Sequence, residues 1–312
     1  MHPGIGLVFP GQGSQSVGMG KVLCEAYPHL KQTYDEASAV LGYDVAALCF
    51  EGPAEKLNLT EHTQPALLVS SIAALRALEP AGIQPVAVAG HSLGEYSALV
   101  AAGGMSYRDA VGIVQKRGQY MSEAVAAGTG LVAALLGLGP DVVKEVCREA
   151  ASAGVVQAAN FNSPGQVVIA GEKAAVERAI EIAKTKGCKK ALPLPVSVPV
   201  HTPLMQQAAD RLAKDLAAVT WSDLHMPLIN NAEAKQIEKA ADIQASLVRQ
   251  LPSSVLWEDS VKTMVAMGVK TFIEVGPGAV LTGLIKRIVP DAVTLNVNDP
   301  KTLDTTRAAL GV

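Results

Sequence analysis

The stretch PVAVAGHSLGEYSALVAA, residues 85–102, decides how the chain folds. Its first part, Pro85–Gly90, is a short apolar run typical of a buried strand, and Gly94–Ala102 has the apolar spacing of a helix. The GHSLG turn between them fits the GxSxG pattern, whose glycines let the chain reverse sharply without side-chain clashes. The stretch therefore predicts a strand, a tight turn and a helix, with the Ser92 hydroxyl presented in the open at the turn.

Ser92 is a candidate nucleophile because of this context. The helix that follows begins with free backbone N–H groups, so a negative oxygen that develops near the Leu93 N–H would be stabilised. The alternative is an ordinary glycine-rich turn in which Ser92 caps the helix.

Strands and helices alternate along much of the remaining chain. Residues 5–9 form an apolar run that enters the turn PGQGSQ, and residues 21–41 have helical periodicity. Residues 107–127 have a long helical pattern, and KTFIEV at 270–275 precedes a helical pattern at 279–289. Such alternation predicts an α/β fold with a mostly parallel sheet that is covered on both faces.

The middle of the chain has a different order of elements. Strand, helix, strand, strand, helix and strand are predicted at 130–138, 141–153, 154–162, 166–170, 172–186 and 191–198. This is the ferredoxin-like order. We therefore expect a large domain formed by residues 1–127 and 199–312, interrupted by a small ferredoxin-like domain at 128–198.

Composition and charge exclude several classes of protein. Of 312 residues, 49% are hydrophobic and 18% charged, which excludes a disordered chain. The 26 basic and 29 acidic residues give a net charge of −3, so no global basic field attracts nucleic acid. The sequence shows no signal-peptide pattern and no apolar run long enough for a membrane span. We expect a cytoplasmic protein.

Four cysteines lie far apart in the sequence: Cys24, Cys49, Cys147 and Cys188. No CxxC pair is present, so the sequence predicts neither a metal site nor a disulfide framework. Buried free thiols are expected.

His201 is the candidate base that a serine hydroxyl needs. It follows the strand-like stretch at 192–200 and precedes a helix, and loops at strand ends often carry sites. The alternative is a histidine that only hydrogen-bonds at a strand end. His91 adjoins Ser92, and neighbours on such a turn point apart, which favours a structural or substrate-lining role.

Arg117 lies on the apolar face of the helix predicted at 107–127. A guanidinium there needs an anionic partner, because an unpaired buried charge is costly. The partner is either a protein carboxylate or a ligand carboxylate, which the planar guanidinium can grip at two points. The apolar face is formed by Ala110, Ile113, Val114, Met121 and Ala124.

The chain resembles the malonyl-CoA:acyl carrier protein transacylases of bacterial type II fatty acid synthesis over nearly its whole length. The resemblance implies an α/β-hydrolase-like large domain with an inserted ferredoxin-like small domain. It rests on seven blocks: FPGQGSQ (9–15), GHSLGEYSAL (90–99), QKRGQYM (115–121), NFNSPGQ (160–166), SVPVHT (197–202), RQL (249–251) and EVGPG (274–278).

The resemblance implies a role for each matching residue. Ser92 would carry the acyl group as an ester, His201 would act as general base, and Arg117 would hold the malonate carboxylate. The backbone N–H groups of Gln12 and Leu93 would form the oxyanion hole.

Other matching residues would shape the site. The backbone carbonyl of Gln250 would orient His201 in place of an aspartate. The candidate cleft residues are His91, Met121, Asn160, Asn162 and Val200. The family more often has a serine at the position of Val200, so a change in the acyl pocket or in its packing is expected.

The implied function is malonyl transfer from malonyl-CoA to the phosphopantetheine thiol of acyl carrier protein, without metal or cofactor. The alternatives are a trans-acting acyltransferase of a polyketide synthase, a serine thioesterase or other hydrolase, and a non-catalytic carrier-binding module. A monomer is expected.

An acidic carrier protein needs only a local basic patch. The candidates are Lys189-Lys190 and Lys286-Arg287, and the alternative for each pair is solvated surface charge.

Overall fold

The computed structural model describes residues 4–126, 128–194 and 198–312. The described residues form ten strands in two sheets. In chain order the strands are β1 Ile5–Phe9, β2 Ala87–Gly90, β3 Gly130–Leu136, β4 Val156–Ser163, β5 Gln166–Glu172, β6 Lys190–Pro193, β7 Leu228–Ile229, β8 Gln236–Ile237, β9 Thr271–Val275 and β10 Val293–Val297.

Fourteen α-helices cover the sheets within the same ranges. They are α1 Lys21–Ala26, α2 Lys31–Leu41, α3 Val45–Glu51, α4 Ala54–Leu57, α5 Thr60–Leu78, α6 Gly94–Ala101, α7 Tyr107–Glu123, α8 Pro140–Ala150, α9 Lys173–Thr185, α10 Gln206–Leu216, α11 Ala240–Gln250, α12 Trp257–Ala266, α13 Val280–Ile288 and α14 Pro300–Leu310.

The large sheet has the order β10-β9-β1-β2-β7-β8. Its pairings are parallel except for β7 with β8. Strands β1, β2 and β9 are buried along their whole length, as expected for a sheet covered on both faces. Because β1 and β2 run parallel with Phe9 opposite Gly90, the loops that follow both strands leave the sheet at the same end, where the parallel strands finish. The GQGSQ and GHSLG turns lie at this end.

The small sheet is antiparallel, with the order β4-β5-β3-β6. Helices α8 and α9 supply its apolar cover, including Val143, Val146 and Val176. This is the expected ferredoxin-like arrangement, inserted between parts of the large α/β domain, so the predicted fold class is confirmed.

The domain boundaries at 127/128 and 198/199 stay predictions, since Ala127 and residues 195–197 lie outside the described residues. Within the described part, the helix predicted at 107–127 is observed at Tyr107–Glu123. The strand predicted at 191–198 is observed at Lys190–Pro193.

One helix predicted from the sequence is interrupted. The helical pattern of residues 21–41 forms α1 and α2, separated by a short 3₁₀ turn that begins at Pro28. Proline lacks the backbone N–H that a continuous helix would use, so the first helix ends before it.

The four cysteines are free, as the sequence predicts. Cys24, Cys49 and Cys147 are buried, and Cys188 is partly exposed. Burial raises the pKa of the Cys24 thiol to about 11, so it stays protonated at neutral pH. None of the helices in the described ranges is long and apolar enough to cross a membrane.

Candidate active site

Ser92 occupies a strained turn between β2 and α6. Its φ is 51°, a left-handed conformation that is uncommon for a residue with a side chain. Packing imposes the turn, since a Cβ on Gly90 would overlap the backbone of Gly94, and a Cβ on Gly94 would overlap the carbonyl oxygen of Phe9. The glycines of the GxSxG pattern therefore hold the serine above the end of the sheet.

The His201 ring lies against the Ser92 hydroxyl, with 2.7 Å between Nε2 and Oγ. Its other nitrogen, Nδ1, is 3.1 Å from the carbonyl oxygens of Gln250 and Ser253. Carbonyl oxygens only accept hydrogen bonds, so Nδ1 carries the proton of the neutral ring and Nε2 presents its lone pair. The Ser92 hydroxyl therefore donates to Nε2, which is the arrangement that a general base requires.

Burial keeps the His201 ring neutral. Burial, together with the positive charge of Arg117, lowers the pKa of His201 to about 3. The ring is almost fully inaccessible to solvent. At neutral pH His201 is therefore free to accept a proton from Ser92.

Arg117 extends from α7 to the same hydroxyl. Its Nη2 donates to Ser92 Oγ at 3.2 Å and to Gln250 Oε1 at 3.0 Å, and its Nη1 donates to Gln64 Oε1 at 2.8 Å. Only 1% of Arg117 is exposed, and its Nε has no partner in the described part of the chain.

Within residues 4–126, 128–194 and 198–312, no carboxylate pairs directly with Arg117. The salt bridges among the described residues all involve other cations. Its nearest contacts are neutral amides, a hydroxyl and the ring of Tyr96, whose centroid is 5.5 Å from the guanidinium carbon. Of the two partners that the sequence leaves open, the geometry favours a ligand carboxylate.

Gln250, at the end of α11, contacts each of these groups. Its carbonyl holds His201, its Oε1 accepts from Arg117, and its Nε2 donates to the carbonyl oxygen of Ser92 at 2.9 Å. The expected contact with His201 is present. The side-chain contacts were not foreseen.

Asn231 and Glu95 hold the serine turn in place through hydrogen bonds. Asn231 Oδ1 accepts the N–H of Ser92, and its Nδ2 donates to the carbonyl of Gly90, both at 2.6 Å. Glu95 Oε2 accepts from the Asn231 N–H and from Gln250 Nε2, both at 2.9 Å. The turn is thus fixed by a buried polar network.

Two backbone N–H groups at the edge of the sheet are available to a ligand. Among the described residues, neither the N–H of Gln12 nor that of Leu93 donates a hydrogen bond. The Gln12 loop lies against the serine turn, where Gly11 approaches the His91 carbonyl so closely that a Cβ on Gly11 would overlap its oxygen. These groups could stabilise an oxyanion.

The candidate cleft residues have different surroundings. His91 turns away from Ser92, with its Nε2 2.9 Å from Asn162 Oδ1. Asn160 is buried on β4 beside Val255. The geometry thus favours a structural role for His91.

Met121 and Val200 complete the candidate cleft. Met121 is buried, and its sulfur accepts a hydrogen bond from Gln64 Nε2 at 3.1 Å. Gln64 also accepts from Arg117, so its side chain links Met121 to Arg117. Val200 is half-buried and packs against the main core, which favours repacking as the consequence of having valine before His201.

The two basic pairs flank one turn. Lys189 lies against Gly137, whose N–H donates to the Gly165 carbonyl in the β4–β5 turn at 2.8 Å. Arg287 on α13 donates to Gln166 Oε1 in the same turn at 2.5 Å. Lys190 and Lys286 are also exposed, and within the described ranges neither pair forms a salt bridge. The pairs could therefore act as one surface.

The family model for the acyl transferase domain matches residues 7–302 of the chain. Since this match covers nearly all of the large sheet and the whole site, the protein is an acyltransferase enzyme.

Curated relatives and solved structures narrow the class. Malonyl CoA-acyl carrier protein transacylase of Salmonella typhimurium is 52% identical over 297 residues, 95% of this chain and 96% of that protein. The crystal structure of an acyl carrier protein S-malonyltransferase from Vibrio cholerae has a TM-score of 0.95 at 51% identity and covers 97% of this chain and 99% of that chain. The chain therefore belongs to the family of malonyl CoA-acyl carrier protein transacylases, as its motifs predict.

A third structure contains a carrier protein. It is the complex of a type II polyketide synthase acyl-carrier protein with its malonyl-transacylase, which has a TM-score of 0.96 at 48% identity and covers 98% of this chain and 99% of that chain.

Proposed function

We propose that this enzyme transfers the malonyl group of malonyl-CoA to the phosphopantetheine thiol of acyl carrier protein through an ester on Ser92. One observation carries the proposal: a neutral histidine contacts the same hydroxyl as a buried arginine that has no paired carboxylate among the described residues. The first suits acyl transfer, and the second suits an acyl group that ends in a carboxylate. The names of the relatives agree with this substrate.

In the first half-reaction Ser92 Oγ attacks the thioester carbonyl while His201 Nε2 takes its proton. The N–H groups of Gln12 and Leu93 stabilise the negative oxygen that develops. The carbon–sulfur bond then breaks, and coenzyme A leaves as a thiol with the proton from His201. Arg117 binds the malonyl carboxylate and so orients the carbonyl toward Ser92.

The second half-reaction reverses this order with a new thiol. His201 accepts the proton of the phosphopantetheine thiol, whose sulfur attacks the Ser92 ester, and Ser92 regains its proton as the thioester forms. Thiols have a pKa of about 8.5 against about 15.7 for water, so a histidine held by carbonyls activates the thiol more readily than water. These steps require no metal or cofactor, and that expectation stays a prediction.

A serine hydrolase is the main alternative, but in the described part of the chain the His201 ring contacts no acid residue. The aspartates between Ser92 and His201 lie elsewhere. Asp109 accepts from Ser106 at the start of α7, and Asp141 pairs with Lys144 on the surface of α8. Incubation with malonyl-CoA should therefore yield malonyl carrier protein when the carrier is present. Rapid release of free malonate without it would favour the hydrolase.

The pKa that governs the acid limb of the pH–rate profile should lie below the usual pKa range of histidine. At pH 5.5 a histidine with the ordinary pKa of about 6.5 is nine-tenths protonated, so it would have lost most of its basicity. His201, whose pKa burial lowers to about 3, should keep kcat/KM for malonyl-CoA within about twofold of its value at pH 7. Stopped-flow malonylation between pH 5 and 8 measures this, and a tenfold fall by pH 5.5 would contradict it.

The basic pairs are proposed to bind the acidic carrier protein. Replacing Lys189 with glutamate should raise KM for carrier protein roughly two- to tenfold through lost attraction and leave KM for malonyl-CoA unchanged. Lys214→Glu on α10, which is also exposed and has no salt bridge in the described chain, is the matched control. Equal effects of the two changes on steady-state kinetics would remove this surface from carrier binding.

We place the reaction in fatty acid synthesis. The structural similarity to a transacylase that binds a polyketide synthase carrier keeps a trans-acting polyketide role as the second candidate. Relative kcat/KM values for a fatty acid carrier and a polyketide carrier distinguish the two. The expected cytoplasmic location and monomeric state stay predictions.

A further inference from the structure

Glu95 is a fully buried carboxylate that the mechanism above does not use. It lies on α6, three residues after Ser92, and its Oε2 accepts two hydrogen bonds, from the N–H of Asn231 and from Gln250 Nε2. Its Oε1 is buried without a hydrogen-bond partner among the described residues. A buried carboxylate with one unpartnered oxygen calls for a physical reason.

Gln250 links Glu95 to Arg117. The amide nitrogen donates to Glu95 and the amide oxygen accepts from Arg117, so the side chain bridges the anion and the cation. An ionised carboxylate can only accept hydrogen bonds and a guanidinium can only donate them. The pair therefore fixes which end of the Gln250 amide faces Ser92, whose carbonyl accepts from the same nitrogen.

The positive charge that acts on the Glu95 carboxylate is that of Arg117. Burial raises the pKa of Glu95 to about 7, against the opposing effects of its hydrogen bonds and of Arg117. The other titratable groups near Glu95 are uncharged at pH 7. Burial raises the pKa of Tyr96 to about 12, and it lowers the pKa values of His91 and His201. In the described part of the site, Glu95 thus offsets the buried cation.

We propose that Glu95 is a positioning residue that balances Arg117 in the empty enzyme and takes a proton on Oε1 when the malonyl carboxylate binds Arg117. The inference rests on the proposed function. A ligand carboxylate places a second anion beside one buried cation, and like charges in a low-dielectric site favour protonation of one of them. The proton comes from solvent, and on Oε1 it displaces neither the Asn231 nor the Gln250 hydrogen bond.

The consequence is that malonyl recognition is coupled to proton uptake. A group without a carboxylate, such as acetyl, leaves the charge of Glu95 in place. The protonated form binds malonyl more tightly, so malonyl affinity should fall as pH rises through about 7.

Calorimetry on the Ser92→Ala protein tests this without turnover. Malonyl-CoA is titrated at pH 7 in buffers of different ionisation enthalpy, which gives the number of protons taken up. Since a group with a pKa of about 7 is half protonated there, we expect uptake of about half a proton per malonyl-CoA. Between pH 6 and pH 8 the dissociation constant should rise up to about tenfold.

Two controls isolate the carboxylate. Acetyl-CoA has the same coenzyme A phosphates but no terminal carboxylate, and should show less than about a fifth of the malonyl uptake. In Ser92→Ala/Glu95→Gln the amide keeps the shape and an acceptor oxygen but cannot titrate. We expect its malonyl-CoA uptake to fall to the acetyl-CoA level.

Equal proton uptake for malonyl-CoA and acetyl-CoA would overturn the inference, as would unchanged uptake in the double variant. The comparison of ligands on Ser92→Ala alone stands even where the double variant does not fold. The two levels of failure remain separate. If the wild-type protein takes no malonyl group from malonyl-CoA, the proposed function fails. If it is malonylated while Ser92→Ala binds without extra uptake, only the role of Glu95 fails.

Discussion

Replacing Ser92 with alanine should reduce malonyl transfer by about 10⁴-fold or more, the scale of loss seen when a catalytic serine is removed. Without the hydroxyl no ester forms, although His201 and Arg117 remain in place. The Ser92 side chain hydrogen-bonds only to these two residues in the described chain, so thermal stability should change little. Transfer from malonyl-CoA to carrier protein, measured beside the melting temperature, checks both expectations.

Ser97 supplies a matched control on the same helix. It is buried, and its hydroxyl has no partner among the described residues. Ser97→Ala should therefore transfer malonyl at close to the wild-type rate. If Ser92→Ala also transferred normally, the covalent scheme would be wrong, and the alternative in which Ser92 has no catalytic role would be favoured.

Replacing Arg117 with alanine should impair malonyl transfer and relax the discrimination against acetyl-CoA. A hydrogen bond to a charged group contributes roughly 1.5–3 kcal/mol, which corresponds to about tenfold to over a hundredfold in rate. We expect kcat/KM for malonyl-CoA to fall by this factor, while the acetyl-CoA value falls less because acetyl makes no such contact. Competition between the two thioesters, followed by product analysis, gives the ratio directly.

Arg117→Lys separates charge from geometry. Lysine keeps the positive charge but lacks the planar fork that grips a carboxylate at two points. Its malonyl-to-acetyl ratio should lie between those of the wild type and Arg117→Ala. An unchanged malonyl-to-acetyl ratio in Arg117→Ala would show that Arg117 does not bind the malonyl carboxylate. Any fall in malonyl transfer would then be assigned to the amides of Gln64 and Gln250, which lose their hydrogen bonds from Arg117.

The fold was largely predictable because its signals are local. The apolar runs of β1, β2 and β9 and the order of elements around the small sheet can be read without knowledge of distant contacts. The two-residue strands β7 and β8 carry no such pattern, because β7 is placed by its pairing with β2, which is distant in the sequence, and β8 by its pairing with β7. At Pro28 the missing backbone N–H outweighs the helical periodicity of residues 21–41, and the helix is interrupted there.

The site was predictable where residue type and position coincide. Ser92 lies in a recognisable turn, and Arg117 is conspicuous on an apolar helix face. The supporting network was missed because Asn231 and Ser253 resemble ordinary loop residues until the chain brings them to Ser92 and His201. Glu95 interrupts an apolar stretch in the sequence. That polar interruption was the available signal.

Mass spectrometry of the enzyme after brief incubation with malonyl-CoA and acid quenching tests the covalent mechanism most directly. Acid preserves an ester, and peptide mapping locates the group. The mechanism predicts one malonyl group per chain, on the peptide that contains Ser92, and its disappearance on addition of carrier protein with the free phosphopantetheine thiol. A malonyl group on Cys188 or another cysteine, or no covalent adduct during active transfer, would contradict it.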